Sequence, residues 1–127
     1  ILRDFDLDGL NQRKAKIEEI TKTLQQKYGE DRIIVEIKDS YYNMKEKIEP
    51  VMYIIDLAKK AMKDADIEPK IVPIRGGTDG ARISYMGIPT PNLFTGGYNF
   101  HGYYEYAVAE EMEKAKEVII NIVKNNK

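Results

Sequence analysis

The spacing of apolar side chains divides the first third of the chain into strand-like and helix-like segments. Apolar residues recur at helical spacing over positions 10–28, after two aspartates that can cap a helix and before Gly29, which can end one. Positions 32–38 carry isoleucine and valine at every second place, which is the period of a half-buried strand, and positions 1–5 alternate in the same way. This region therefore predicts a β-α-β unit.

The rest of the chain repeats the alternation of helix and strand. An amphipathic helix is predicted over positions 44–62, in which Pro50 fits only the first turn. Short strands are predicted at 70–74 and 92–94, and a long terminal helix is predicted from about position 108. The fold class indicated is α/β with some parallel pairing.

A turn-like stretch at 40–44 is the predicted boundary between two parts of the chain. Residues 1–43 then form half of a small two-layer unit, and residues 44–127 form the α/β part. We find no internal repeat and no low-complexity segment.

Composition excludes several classes of protein. The 127 residues carry 20 Lys+Arg and 21 Asp+Glu, so the net charge of −1 argues against a dedicated nucleic-acid binder. No apolar run is long enough for a membrane helix, and the cytoplasm is the expected compartment. The absence of cysteine excludes disulfide scaffolds, thiolate zinc fingers and a catalytic cysteine. Because the strand-like opening has no Met or polar lead-in, we expect a cut piece of a longer chain.

The loop Arg75-Gly-Gly-Thr-Asp-Gly80 is the strongest candidate for a binding site. It offers unhindered backbone amides, a hydroxyl and a guanidinium, which suit a carboxylate or a phosphate. It lacks the Lys-Ser/Thr ending of a phosphate loop and the spacing of a dinucleotide fingerprint. The alternative is a tight turn in which Thr78 or Asp79 caps the next helix.

Three further residues have both a structural and a functional interpretation. His101 is the single histidine, in a glycine-bearing, tyrosine-rich loop. Because zinc sites need three or four protein ligands, any metal site here must be completed from outside the chain. Arg3, on the apolar side of a strand, needs an anionic partner, either Asp39 or a ligand. Asn43 would ordinarily be a turn or cap residue.

Four motifs, in order and at the right intervals, resemble the carboxyl-terminal part of the tripeptide aminopeptidases of the di-zinc, aminoacylase-like metallopeptidase family. They are Arg3-Asp-Phe-Asp6, Asp39-Ser-Tyr-Tyr-Asn-Met44, Ile74-Arg-Gly-Gly-Thr-Asp-Gly-Ala81 and Phe94-Thr-Gly-Gly-Tyr-Asn-Phe-His-Gly102. The resemblance implies a zinc-exopeptidase α/β catalytic domain with two zinc ions, interrupted by a smaller lid. Residues 1–43 would be the second half of the lid, and residues 44–127 the carboxyl-terminal part of the catalytic domain.

The resemblance also implies roles for individual residues. His101 matches the last zinc ligand of the family. The substrate-binding positions are Arg75, Gly76, Gly77 and Thr78 in the loop, with Arg3 and Asn43 reaching from the lid to the carboxyl end of the tripeptide. The remaining zinc ligands and the general-base glutamate of the family belong to sequence before Ile1, so no catalytic residue is expected in this chain. We therefore expect the isolated chain to be inactive and to need the missing amino-terminal part of the enzyme as its partner.

Two alternatives stay open beside the enzyme. The opening unit could belong to a module that binds a small ligand, or the chain could be mainly a dimerisation surface, since a sheet that lacks half its strands exposes unpaired edges and homodimers would follow. Neither alternative explains why the motifs at 75–81 and 99–102 occur together.

Overall fold

A computed structural model describes residues 1–74 and 77–126. The chain is mostly helical, with one small antiparallel sheet, which is compatible with part of an α/β fold. The helices are α1 (Leu7–Tyr28), α2 (Lys45–Ile48), α3 (Tyr53–Lys63), α4 (Asp79–Tyr85) and α5 (Ala109–Asn125), and the strands are β1 (Gly97–Tyr98) and β2 (Tyr106–Ala107). Short 3-10 turns lie at Glu30–Arg32 and Glu49–Val51.

Helix α1 confirms the first helix prediction at both ends. Asp6 is its N-cap, and the Asp6 carboxylate accepts a hydrogen bond from the Gly9 amide at 2.7 Å. The helix ends where Gly29 takes a φ of 103°, a value that residues with a Cβ rarely adopt. The terminal helix α5 and a helix after the glycine loop are confirmed in the same way.

The four predicted strands are wrong for this chain. Segments 1–5, 32–38, 70–74 and 92–94 form no strand. Among the described residues, the backbone–backbone hydrogen bond that these segments make runs from the Arg32 amide to the Gly29 carbonyl at 3.3 Å, and it belongs to the 3-10 turn Glu30–Arg32. A strand exists only when a neighbour supplies the other half of its hydrogen-bond ladder, and the described part of the chain supplies none. The β-α-β unit is therefore not formed, although helix α1 is.

The helix predicted over 44–62 is broken into three pieces around Pro50. Proline has no amide hydrogen, and its ring collides with the carbonyl four residues earlier, so an α-helix cannot run through it. Pro50 instead lies at the start of the 3-10 turn Glu49–Val51, with α2 before it and α3 after it.

Helices α3 and α5 form the core of the molecule. Ala61 and Val118 are completely buried and Ala65 nearly so, with Phe94 and Ile122 packed against them. The small alanine side chains let the two helices approach closely. At the edges of this contact, the Lys114 ammonium donates to the Ala65 carbonyl at 3.0 Å, and the Asn121 amide donates to the Ala61 carbonyl at 3.4 Å.

The chain exposes far more surface than a compact protein of its mass. Its accessible surface is 10254 Å², whereas a compact monomer of 14.6 kDa exposes about 6,900 Å². Large apolar side chains account for much of the excess; Ile34 is 84% exposed and Val123 is 70% exposed. The described residues thus bury only a small core and leave wide apolar faces open.

The two-stranded sheet is a hairpin seated on the first turn of α5. Gly97 pairs with Ala107 and Tyr98 with Tyr106, and the Val108 amide donates to the Gly96 carbonyl at 2.8 Å. Gly96 has a φ of 78°, and a Cβ on it would lie 2.9 Å from the Met112 amide nitrogen. Only glycine fits at this junction. None of the described helices could span a membrane.

Candidate functional site

The glycine loop runs directly into helix α4. Thr78 is the N-cap of α4, since its hydroxyl accepts from the Ala81 amide at 3.3 Å, and this confirms the capping interpretation of Thr78. Gly77 is exposed and Thr78 is half-buried. Arg75 and Gly76, the other two predicted binding positions of this loop, lie outside the described residues.

The segment that carries Asn43 lies against the same helix. The Tyr85 hydroxyl, on α4, donates to the Asn43 carbonyl at 3.2 Å. The Asn43 side chain accepts from the Lys45 amide at 2.9 Å, which is the turn role that its position indicated. The Tyr41 ring occupies the space where a Cβ of Gly77 would stand. The segment 41–44 therefore lies along α4, with Tyr41 at Gly77 and Asn43 at Tyr85.

Asn92 joins the two loops and was not singled out in the sequence. Its side-chain amide donates to the Thr78 hydroxyl at 3.2 Å and lies 4.0 Å from the Met44 sulfur. The Asn92 carbonyl oxygen would be 3.0 Å from a Cβ on Gly80. The signal that could have found it is the sequence Pro91-Asn92, since asparagine next to proline often hydrogen-bonds nearby backbone groups or side chains.

The tyrosines beside this site keep their protons. Burial, and then the nearby Glu46 carboxylate, raise the pKa of Tyr85. A hydrogen bond to Asp39 raises the pKa of Tyr42, whose hydroxyl donates to that carboxylate at 2.9 Å. The Tyr42 and Tyr85 ring centroids are 5.9 Å apart. At neutral pH both hydroxyls are consequently neutral hydrogen-bond donors.

His101 lies at the tip of the hairpin. It adopts a φ of 65° and is exposed, and its backbone amide donates to the Glu105 carboxylate at 2.8 Å. Asn99, also at positive φ, uses its side-chain amide to hold the Tyr104 carbonyl at 3.2 Å. The loop thus presents the imidazole to solvent, where an external group can reach it.

The described residues do not make up a zinc site by themselves. They contain no group of three or more histidine, aspartate or glutamate side chains able to hold a metal ion. A zinc ion bound at His101 would need further ligands from outside the described residues.

Arg3 is placed differently from the expectation. It is exposed, and Asp39 pairs with Lys14 at 2.5 Å instead. Of the two partners considered for Arg3, Asp39 or a ligand, Asp39 is not used, because the segment around Arg3 forms no strand that would direct its side chain inward. No hydrogen bond or ion pair between described residues joins Arg3 or His101 to Asn43, Gly77 or Thr78.

Comparison with known proteins confirms the resemblance read from the four motifs. The chain is 62% identical over 124 residues to Peptidase T of Geobacillus kaustophilus (strain HTA426), 61% identical to Peptidase T of Clostridium perfringens (strain 13 / Type A) and 57% identical to Peptidase T of Bacillus cereus (strain B4264). In each case the match covers 98% of this chain and 30% of the relative. The chain therefore spans about 30% of the length of these curated relatives. No family model matches it.

Proposed function

We propose that this chain supplies the substrate-binding loop and one zinc ligand of a tripeptide aminopeptidase that releases the amino-terminal residue of its substrate. The observation that supports the proposal is that the segment carrying Asn43 lies against both Gly77 and helix α4, whose N-cap is Thr78. The relatives named Peptidase T, at 57–62% identity, support a peptidase rather than another use of this surface. We also propose that the protein acts in the cytoplasm.

Thr78 is suited to bind the carboxylate of a peptide. Its oxygen already accepts hydrogen bonds from the Ala81 amide and from the Asn92 side chain. A hydroxyl has two acceptor lone pairs and one donor hydrogen, so the third interaction of Thr78 is a donation. An anionic oxygen is the partner that such a donor favours.

The charged ends of a tripeptide give the site its selectivity. An exopeptidase has to recognise a short peptide by its termini, and arginine binds a carboxylate through two parallel hydrogen bonds. We propose that two arginines bind the carboxylate of the tripeptide in this way: Arg75, beside Gly76 in the loop, and Arg3. Asn43 then contacts the carboxyl end of the peptide. These contacts orient the peptide and lower the entropic cost of reaction.

Zinc, when bound, activates water and polarises the scissile carbonyl. We propose that His101 supplies one ligand, toward two ions in the complete enzyme, and that the other ligands and the general base come from the amino-terminal part of the enzyme. Since the described residues hold no complete zinc site, we assign no chemical step to this chain. Its own residues bind and orient the peptide.

Complementation tests this division of labour. The chain alone should show no tripeptide hydrolysis, whereas a mixture with the amino-terminal part of the Geobacillus kaustophilus relative and zinc should release the amino-terminal residue. His101→Asn should abolish activity in the mixture, because asparagine tolerates the positive φ but lacks the imidazole. Tyr103→Ala is the matched control in the same loop; the Tyr103 side chain is 95% exposed.

Two results would contradict the proposal. Hydrolysis by the purified chain alone would show that it is catalytically complete. An inactive mixture in which the two parts demonstrably associate would show that His101 and the loop do not serve a peptidase.

A dimerisation or ligand-binding module is the second candidate. The observation in its favour is the surface of 10254 Å², about 3,300 Å² above that of a compact monomer, which exceeds what standard protein interfaces bury. In this case light scattering should show dimers at high concentration without any added polypeptide. A clean monomer that binds no small peptide would count against both forms of this candidate.

A further inference from the structure

We propose that Asn92 is a positioning residue that holds the glycine loop and the Asn43 segment in register with each other. The inference rests on the proposed function, because it assigns Asn92 a role in aligning the peptide-binding groups. Asn92 itself touches no substrate in this scheme. It acts through Thr78.

The geometry around Asn92 is that of a bridge between two loops. Its side-chain nitrogen is 3.2 Å from the Thr78 hydroxyl and 4.0 Å from the Met44 sulfur. Met44 directly follows Asn43, whose carbonyl is held by Tyr85. One amide group therefore contacts both segments that carry the proposed binding residues.

The chain just before Asn92 is fixed to α4 by the buried hydroxyl of Ser84. Ser84, only 2% exposed, donates to the Gly80 carbonyl at 2.7 Å and accepts from the Thr90 amide at 2.8 Å. A Cβ on Gly80 would stand 2.5 Å from the Thr90 carbonyl oxygen, so glycine is what permits this close approach. Since the chain at position 90 is anchored to α4, Asn92 extends toward Thr78 from a rigid support.

The exposure of Asn92 distinguishes a positioning role from a role in the stability of the fold. Asn92 is exposed, and its loss leaves no buried polar group unpaired. The substitution should therefore leave the fold stable while releasing Thr78 from Met44. In contrast, Ser84 is buried with both of its hydrogen-bond partners, so a substitution there would disturb the fold itself.

The first test is an NMR comparison on the chain as it is. Asn92→Ala, and Asn92→Leu as a variant of similar shape, should shift the amide signals of Gly77, Thr78 and Met44 together, with the unfolding midpoint nearly unchanged. Asn125→Ala is the matched control, because Asn125 also donates its side-chain amide to a neighbour, the Asp64 carboxylate at 2.8 Å, and lies in helix α5. Shifts restricted to the sequence neighbours of position 92 would overturn the inference.

The second test uses the complemented enzyme. Asn92→Ala should raise KM by up to about tenfold, because the most that Thr78 can lose in alignment is the worth of its hydrogen bond to Asn92, with kcat little changed. If the mixture is active and KM does not move, the positioning role is overturned while the proposed function stands. If the unsubstituted mixture has no activity, the proposed function fails, and the NMR comparison still decides whether Asn92 joins the two loops.

Discussion

Two regions of similar helical content differ in how they are held together. Helices α3 and α5 bury Ala61 and Val118 completely between them. Helix α1 is longer, at 22 residues, yet none of its residues is fully buried. The segment after it is attached by polar contacts, such as the hydrogen bond from the Gln25 side-chain amide to the Ile33 carbonyl at 2.8 Å. The capping residues of a helix thus set where it begins and ends, whereas a buried core requires a second element that packs against the helix.

The comparison is most strongly tested by placing a charge on each face of α5. Val118→Asp should lower the free energy of unfolding by about 3–5 kcal/mol, because it buries an unpaired carboxylate. Val123→Asp, at a site 70% exposed on the same helix, should change it by less than about 0.5 kcal/mol. Urea unfolding followed by circular dichroism measures both. Equal losses would mean that α3 and α5 do not form the core.

The second-largest loss of stability is expected from substitution at the junction between the hairpin and α5. Gly96→Ala meets both the positive φ and the α5 backbone, whereas Gly87, at φ 103°, has open space around it. Strain at positive φ costs about 1–2 kcal/mol, so Gly87→Ala should lose roughly that and Gly96→Ala more. The same unfolding experiment ranks them. If Gly87→Ala lowered the free energy of unfolding more than Gly96→Ala, the close contact between Gly96 and helix α5 would be contradicted.

The cap of α1 should matter only locally. Asp6→Ala removes the hydrogen bond to the Gly9 amide and should cost about 1 kcal/mol of helix stability. Hydrogen exchange should quicken in the first turns of α1 and stay unchanged in α5, because no core joins the two helices. Faster exchange in both would show that α1 and α5 unfold as one unit.

The smallest expected effect is a pH dependence of the segment after α1. The Lys14 ammonium, and then the Tyr42 hydroxyl, lower the pKa of Asp39 from its ordinary value of 3.8. A lowered pKa means that the ion pair stabilises the folded form above pH 3.8 and that this contribution is lost as the pH falls below it. The NMR signals of residues 33–42 should therefore shift as the pH falls below 3.8.

Substituting the cation supplies the control for that titration. Lys14→Met should shift the movement of signals 33–42 to higher pH, because Asp39 then lacks the ionic partner that lowers its pKa. Lys60→Met should act instead on Asp64, whose pKa is lowered chiefly by Lys60 and then by Asn125 of α5. Identical titration curves in Lys14→Met and the unsubstituted chain would contradict the role of the ion pair.

The candidate site was partly predictable for a physical reason. Thr78 was expected to cap a helix and Asn43 to form a turn, and both do, since these hydrogen bonds close within two or three residues. Asn92 was missed because its partners lie 14 and 48 positions away. The binding roles of all the proposed site residues remain predictions: Arg3, Asn43, Arg75, Gly76, Gly77, Thr78 and His101.

The sequence by itself determined the helices and their ends, because capping residues, glycine stops and proline breaks act over a few neighbouring positions. Asp6 and Gly29 each mark a boundary that the structure confirms, whereas Pro50 breaks the helix predicted over 44–62. It also carried the resemblance to Peptidase T through four short motifs. Only the tertiary structure decided that the alternating segments form no strands here, and that the Asn43 segment meets the glycine loop. Strand pairing and loop contacts depend on partners distant in the chain or outside it, which local patterns do not encode.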